Sequence, residues 1–99
     1  MKVILSKAFT KSVERLSGKQ LKSVLEVIAD TKAAQSIEDI PNCTRLVGYK
    51  NIYRIRIGSL RAFLAFRIEI IDNVVCFLFL VPRGQAYTKK VETELKHQD

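Results

Sequence analysis

Gly48-Tyr49-Lys50-Asn51-Ile52-Tyr53-Arg54-Ile55-Arg56-Ile57-Gly58-Ser59-Leu60-Arg61 is the stretch on which the fold turns. It reads as a strand, a two-residue turn and the start of a second strand. Strand side chains alternate with period two. Tyr53, Ile55 and Ile57 therefore point to one face, and Arg54 and Arg56 to the other. Gly58-Ser59 suits a tight hairpin turn with Gly where φ must be positive. The spacing leaves open which face Arg61 takes. A sheet that lines guanidinium groups along one face is suited to holding phosphates.

Downstream, every signal is β until the tail. Leu60–Ile68 reads as the partner strand, and Asp72-Asn73 between apolar runs marks another turn. Val74–Val81 is almost continuously apolar, which predicts a central strand buried on both faces. Pro82-Arg83-Gly84 ends it. Tyr87, Val91 and Leu95 recur at i, i+4 and i+8, which predicts a short C-terminal helix.

Upstream, Arg45–Val47 suits a short strand and Pro41-Asn42 a turn. Ser36–Asp39 suits one helical turn. Lys2–Leu5 suits a first strand, followed by Ser6 as a helix cap. Phe9, Val13 and Leu16 repeat at helical spacing, and Ser17-Gly18 breaks that helix. Leu21, Val24, Leu25 and Ile28 define a second helix. The predicted class is α+β: an N-terminal strand and a helical hairpin packed on a mostly antiparallel sheet of about four or five strands. Residues 1–99 fit one small domain.

The chain is 47% hydrophobic, enough for a core and too much for a disordered chain. Its formal net charge is +7. Residues 43–90 hold nine Lys/Arg against two Asp/Glu, so the excess sits in the segment that begins near the hairpin. Such a balance points to a polyanionic or acidic partner, or to a solvated basic surface. Cys43 and Cys76 have no metal spacing and follow no secretory signal, which predicts a reducing compartment. The N-terminal apolar run is too short for a signal peptide, and Val74–Pro82 is too short to span a membrane. A cytoplasmic location is the expectation.

Chemistry narrows by elimination. The lone histidine, His97, lies in a charged tail, and no acidic cluster has ligand spacing. The expectation is no metal and no cofactor. Nucleophile-and-base catalysis lacks a positioned base, and the dispersed glycines form no phosphate loop. Arginine and tyrosine remain. Arg54, Arg56 and Arg61 lie near one end of the hairpin, Arg83 leaves the central strand, and Tyr87 follows. Guanidinium groups can stabilise the phosphorane that develops in phosphodiester cleavage. Positive charge nearby favours the phenolate of a tyrosine, which could then act as a base toward a ribose 2′-hydroxyl. Tyr87 suits equally an amphipathic core residue at a helix start. The arginines also suit a solvated face, but like charges close together on a hairpin cost stability without a partner, which favours a functional role.

These residues resemble the RelE/ParE superfamily of toxins from type II toxin–antitoxin systems. The resemblance rests on Ile40-Pro41-Asn42, on Leu46-Val47-Gly48-Tyr49 through Gly58, on Leu60-Arg61, and on Val81-Pro82-Arg83 with Tyr87. Within the superfamily the chain is similar to the RelE-like branch, which cuts messenger RNA in the ribosomal A site without a metal. The resemblance implies a catalytic set of Arg54, Arg56, Arg61, Arg83 and Tyr87. Arg61 corresponds to a phosphate and transition-state ligand, and Tyr87 to a tyrosine that stacks on a base or moves a proton. It further implies RNA- or ribosome-binding roles for Lys7, Lys11, Lys19, Lys22, Lys50, Lys89 and Lys90. Many relatives carry a histidine just before the arginine matching Arg83. Pro82 stands here, which excludes histidine chemistry at that position.

The function implied is an endoribonuclease that inhibits translation and leaves 2′,3′-cyclic phosphate ends. Implied partners are messenger RNA, ribosomal RNA and a small acidic or amphipathic antitoxin in a heteromeric complex. Two alternatives share the fold: a ParE-like inhibitor of DNA gyrase, and a non-enzymatic module that binds antitoxin or RNA. The ParE-like branch lacks the arginine cluster.

Overall fold

The computed structural model describes residues 1–85 and 88–99. The element order is β1 (Lys2–Leu5), α1 (Lys7–Glu14), α2 (Gly18–Ala33), β2 (Cys43–Arg45), β3 (Ile52–Ile57), β4 (Leu60–Arg67), β5 (Val74–Pro82) and α3 (Lys89–Gln98). Short 3₁₀ turns occupy Ile37–Asp39 and Arg83–Gln85. The five strands form one sheet in the order β1-β5-β4-β3-β2. All neighbours are antiparallel except β1, which lies parallel to β5. The α+β class and the mostly antiparallel sheet agree with the sequence reading.

The helical hairpin forms for local reasons. Ser6 accepts the Phe9 N–H at 3.0 Å, which caps α1. Gly18 takes φ 56, a left-handed conformation that costs glycine little, and α2 begins there. Phe9 from α1 and Val24 and Ile28 from α2 bury against Ile55, Leu64 and Phe77 on one sheet face. Residues two apart on each strand supply that face, as period two requires.

The opposite face holds a second core. Ile52, Phe63, Ala65 and Leu78 are covered there by Val91 and Leu95 of α3. The C-terminal helix is thus a sheet-packing element, and its apolar spacing was legible in the sequence. Thr88 caps it by accepting the Val91 N–H at 3.3 Å. At its other end the Asp99 carboxylate accepts the backbone N–H groups of Lys50 and Asn51, at 3.1 and 2.7 Å.

Two details depart from the sequence reading. The short strand β2 lies at Cys43–Arg45, two residues before the predicted Arg45–Val47. Leu46 instead opens a turn in which its carbonyl accepts the Tyr49 N–H, and Gly48 adopts φ 88. The second detail is a bulge. Phe63 pairs with Phe79 and Leu64 with Phe77, which leaves Leu78 as an extra residue on β5. Leu78 and Phe79 consequently pack on the same core, under α3. The Leu78 carbonyl accepts the Ser6 hydroxyl at 2.7 Å, so β1 and the bulge are tied together.

Candidate nucleic-acid interface

The β3–β4 hairpin places the arginines. Ile55 and Ile57 belong to the core beneath the helical hairpin, so Arg54 and Arg56 face the α3 side. The register settles Arg61: it lies directly across from Arg56, with Ile57 opposite Leu60. Leu60 and Ala62 pack in the helical-hairpin core. Arg61 between them therefore shares the α3 side with Arg54 and Arg56. Among the described residues, α3 packs toward the other end of that face, over Ile52, Phe63 and Ala65.

Arg83 joins from the neighbouring strand. Its N–H donates to the Ser59 carbonyl at 2.9 Å, which fastens the end of β5 to the hairpin turn. Arg61 is half-buried, and its Nη1 donates to the carbonyls of Gly58 and Leu60 at 2.7 and 2.8 Å. The side chain is thereby held against the turn. Partial desolvation, followed by repulsion from Arg56, Arg83 and Arg54, pushes its guanidinium below the usual arginine value. Arg54, Arg56 and Arg83 thus lie close enough to Arg61 to act on it. Arginine stays charged through the physiological range.

The turn has a further support that no sequence pattern marks. Gln20 Nε2 donates to Ser59 Oγ at 3.3 Å across 39 positions of chain. It links the start of α2 to the tip of the hairpin. Arg56 also lines a cleft with Glu26 and Asp30 of α2 and with Pro41 and Asn42.

The lysines do not gather with the arginines. Lys7 and Lys11 lie on α1 and Lys19 and Lys22 on α2, the helices that pack on the opposite sheet face. Lys50 lies in the β2–β3 connection, beyond the far end of the sheet. Lys89 and Lys90 start α3, the element that follows Arg83. All are exposed. Tyr87 lies outside the described residues. Pro82 is the last residue of β5, opposite Leu60. Among the described residues, no three His, Cys, Asp or Glu side chains gather into a group that could hold a metal ion. No helix among them is long and apolar enough to cross a membrane.

No family model matches the chain. Toxin RelE3 of Methanocaldococcus jannaschii is 28% identical over 88 residues, covering 88% of this chain and 96% of that protein. The RelB–RelE antitoxin–toxin complex from Methanococcus jannaschii contains a chain that superposes with a TM-score of 0.70 at 22% identity. That match covers 87% of this chain and 96% of its counterpart. In sequence and in fold the chain is similar to RelE toxins. The archaeal RelE–RelB complex from Pyrococcus horikoshii shares the RelE fold as well, with a TM-score of 0.61 at 25% identity, covering 86% of this chain and 97% of that one. A sheet of RelE-like fold is thus the scaffold on which the four arginines converge.

Proposed function

We propose that this chain is the toxin of a toxin–antitoxin system, a single domain over residues 1–99 that cuts messenger RNA on the ribosome in the cytoplasm. The observation that carries the reading is the convergence of Arg54, Arg56 and Arg83 on Arg61 at the hairpin end of the α3 face. The toxin assignment is further supported by the relatives, one named a toxin and two solved as RelB–RelE pairs.

The chemistry follows from charge. The 2′-oxygen of a ribose attacks the adjacent phosphorus, and a 2′,3′-cyclic phosphate forms as the bond to the 5′-oxygen breaks. Negative charge builds on the non-bridging oxygens in the transition state. Preorganised guanidinium groups stabilise that charge with little rearrangement, and Arg61, already bonded to two carbonyls of the turn, is preorganised. Tyr87 is assigned the proton transfer, and Pro82 leaves no histidine to share it. The partner that silences the site is a small acidic or amphipathic antitoxin, whose carboxylates suit the arginine cluster. Exposed lysines on α1 and α2 suit contact with ribosomal RNA on the other side of the molecule.

The test is translation of a defined message in a reconstituted system, with mapping of 3′ ends and of their cyclic phosphates. Arg61→Ala combined with Arg83→Ala is expected to lower cleavage by at least about 10²-fold, as loss of a transition-state donor does elsewhere. Intact cleavage by that variant overturns the site. Inhibition of DNA supercoiling without RNA cleavage overturns the activity.

A further inference from the structure

Arg54 belongs to two places at once. It lies close enough to Arg61 to act on it, and it also lines a cleft of about 310 Å³ with Thr44, Arg45, Leu46, Val47 and Tyr49. That volume is at the small end of the range for small-molecule sites, about 300–1,000 Å³. Among the described residues, two arginines and no carboxylate line the cleft. Thr44 stands directly across from Arg54 in the β2–β3 pair, so both side chains share the α3 side of the sheet. β2 is an edge strand, so no further strand of the sheet walls the cleft on its outer side.

Tyr49 is the aromatic group of the cleft, and local bonds fix its position. The Leu46 carbonyl accepts the Tyr49 N–H at 3.3 Å, and Gly48 at φ 88 permits the tight turn between them. The Leu46 N–H donates to the Ile52 carbonyl at 2.9 Å, and the Asp99 carboxylate accepts the Lys50 and Asn51 N–H groups. The β2–β3 connection is thus tied down on both sides of Tyr49. Tyr49 is half-buried and packs against the core that holds Leu46, Ile52 and Phe63. An aromatic ring supported by a core and bordering a cationic cleft suits an unstacked base, since every base has a π-face and carries a phosphate beside it.

We propose that this cleft is a nucleobase subsite of the arginine centre. One unpaired base of single-stranded RNA lies against the Tyr49 ring, and Arg54 holds the phosphate that joins it to the next nucleotide. Thr44 brings a hydroxyl that donates to the base edge or accepts from it. The bound nucleotide adjoins the phosphate gripped at Arg61, because Arg54 serves both places. The proposal rests on the reading that the arginines bind RNA, and it adds where a neighbouring base goes.

Fluorescence anisotropy on the purified chain at low salt tests it, with a labelled 2′-fluoro RNA of about six nucleotides, which lacks the attacking hydroxyl. Abasic replacement at each position in turn keeps every phosphate and removes one base. For the wild type, one abasic position is expected to weaken binding about 5- to 150-fold, as loss of a stacked base does. Tyr49→Leu keeps an apolar side chain on the core and removes the ring. It is expected to weaken the intact RNA by a similar factor and to become indifferent to that abasic position, with an unchanged circular dichroism spectrum. Tyr49→Phe is expected to bind as the wild type does. Arg54→Gln is expected to weaken every RNA alike and to lower the salt dependence. A wild type indifferent to every abasic replacement overturns the subsite without recourse to a variant. A Tyr49→Leu chain that keeps the wild-type sensitivity also overturns it, while loss of binding in Arg54→Gln leaves the arginine reading standing. If Arg54→Gln and Arg61→Ala both leave affinity unchanged, the RNA reading fails and the subsite fails with it.

Discussion

Replacing Arg56 by glutamine is expected to stabilise the fold while weakening the site. Arg56 stands directly across from Arg61, and both face the same side of the sheet. Like charges opposed across an antiparallel pair cost about 0.2–1 kcal/mol. Among the described residues the ion pair closer than 4 Å is Lys96–Glu92 on α3, so Arg56→Gln removes no salt bridge from the described set. The residue is exposed. The net change is therefore the relief of repulsion, about 0.2–1 kcal/mol, and in a domain of this size that raises the melting temperature by about 1–8 °C. Salt supplies the internal control. At 1 M the screening length falls to about 3 Å, and the difference between wild type and variant is expected to shrink toward zero. Calorimetry at low and high sodium chloride, in a buffer free of phosphate and sulfate, measures both quantities. RNA cleavage by the same preparation is expected to fall. A variant that melts lower than wild type, or a stability gain that persists at 1 M salt, refutes the picture of a self-repelling cluster.

Three further outcomes follow from other parts of the molecule. Leu95→Ala removes a side chain that is 1% exposed beneath α3 and is expected to cost about 2–5 kcal/mol, measured by urea unfolding. Asp99→Asn weakens the bonds to the Lys50 and Asn51 N–H groups, and is expected to cost about 0.5–1.5 kcal/mol. Hydrogen exchange should then quicken at those two amides before it does in β5. Burial, and then Glu38, push the Cys43 thiol up from 9.0 to about 11. Because the folded value lies above the unfolded one, that thiol's contribution to stability is intact below pH 9 and lost as pH rises toward about 11. Cys43→Ala should flatten the alkaline limb of a stability–pH curve, and Cys43 should alkylate slowly at neutral pH.

The hairpin shows how far local pattern reaches. Alternation put Arg54 and Arg56 on one face, and Gly58 at φ 58 made the turn as its position required. Arg61 stood beyond the turn, and spacing alone left its face open. The register resolved it, because pairing Ile57 with Leu60 leaves Arg61 opposite Arg56. The two-residue shift of β2 has a local cause in the Leu46–Tyr49 turn, whose apolar residues imitate a strand. The bulge at Leu78 has no sequence mark, since a continuous apolar run looks the same with or without an extra residue.

By itself the sequence determined the class of each element, the two faces of β3, the concentration of cations after residue 43 and the likeness to RelE toxins. Those properties depend on neighbours a few positions apart, where periodicity and turn chemistry act. Tertiary structure alone decided the rest. It brought Arg83 to the hairpin through the Ser59 carbonyl, and braced that turn with Gln20. It laid α3 over Ile52, Phe63 and Ala65. Each of these joins residues far apart in the chain, and only strand pairing and core packing set such distances.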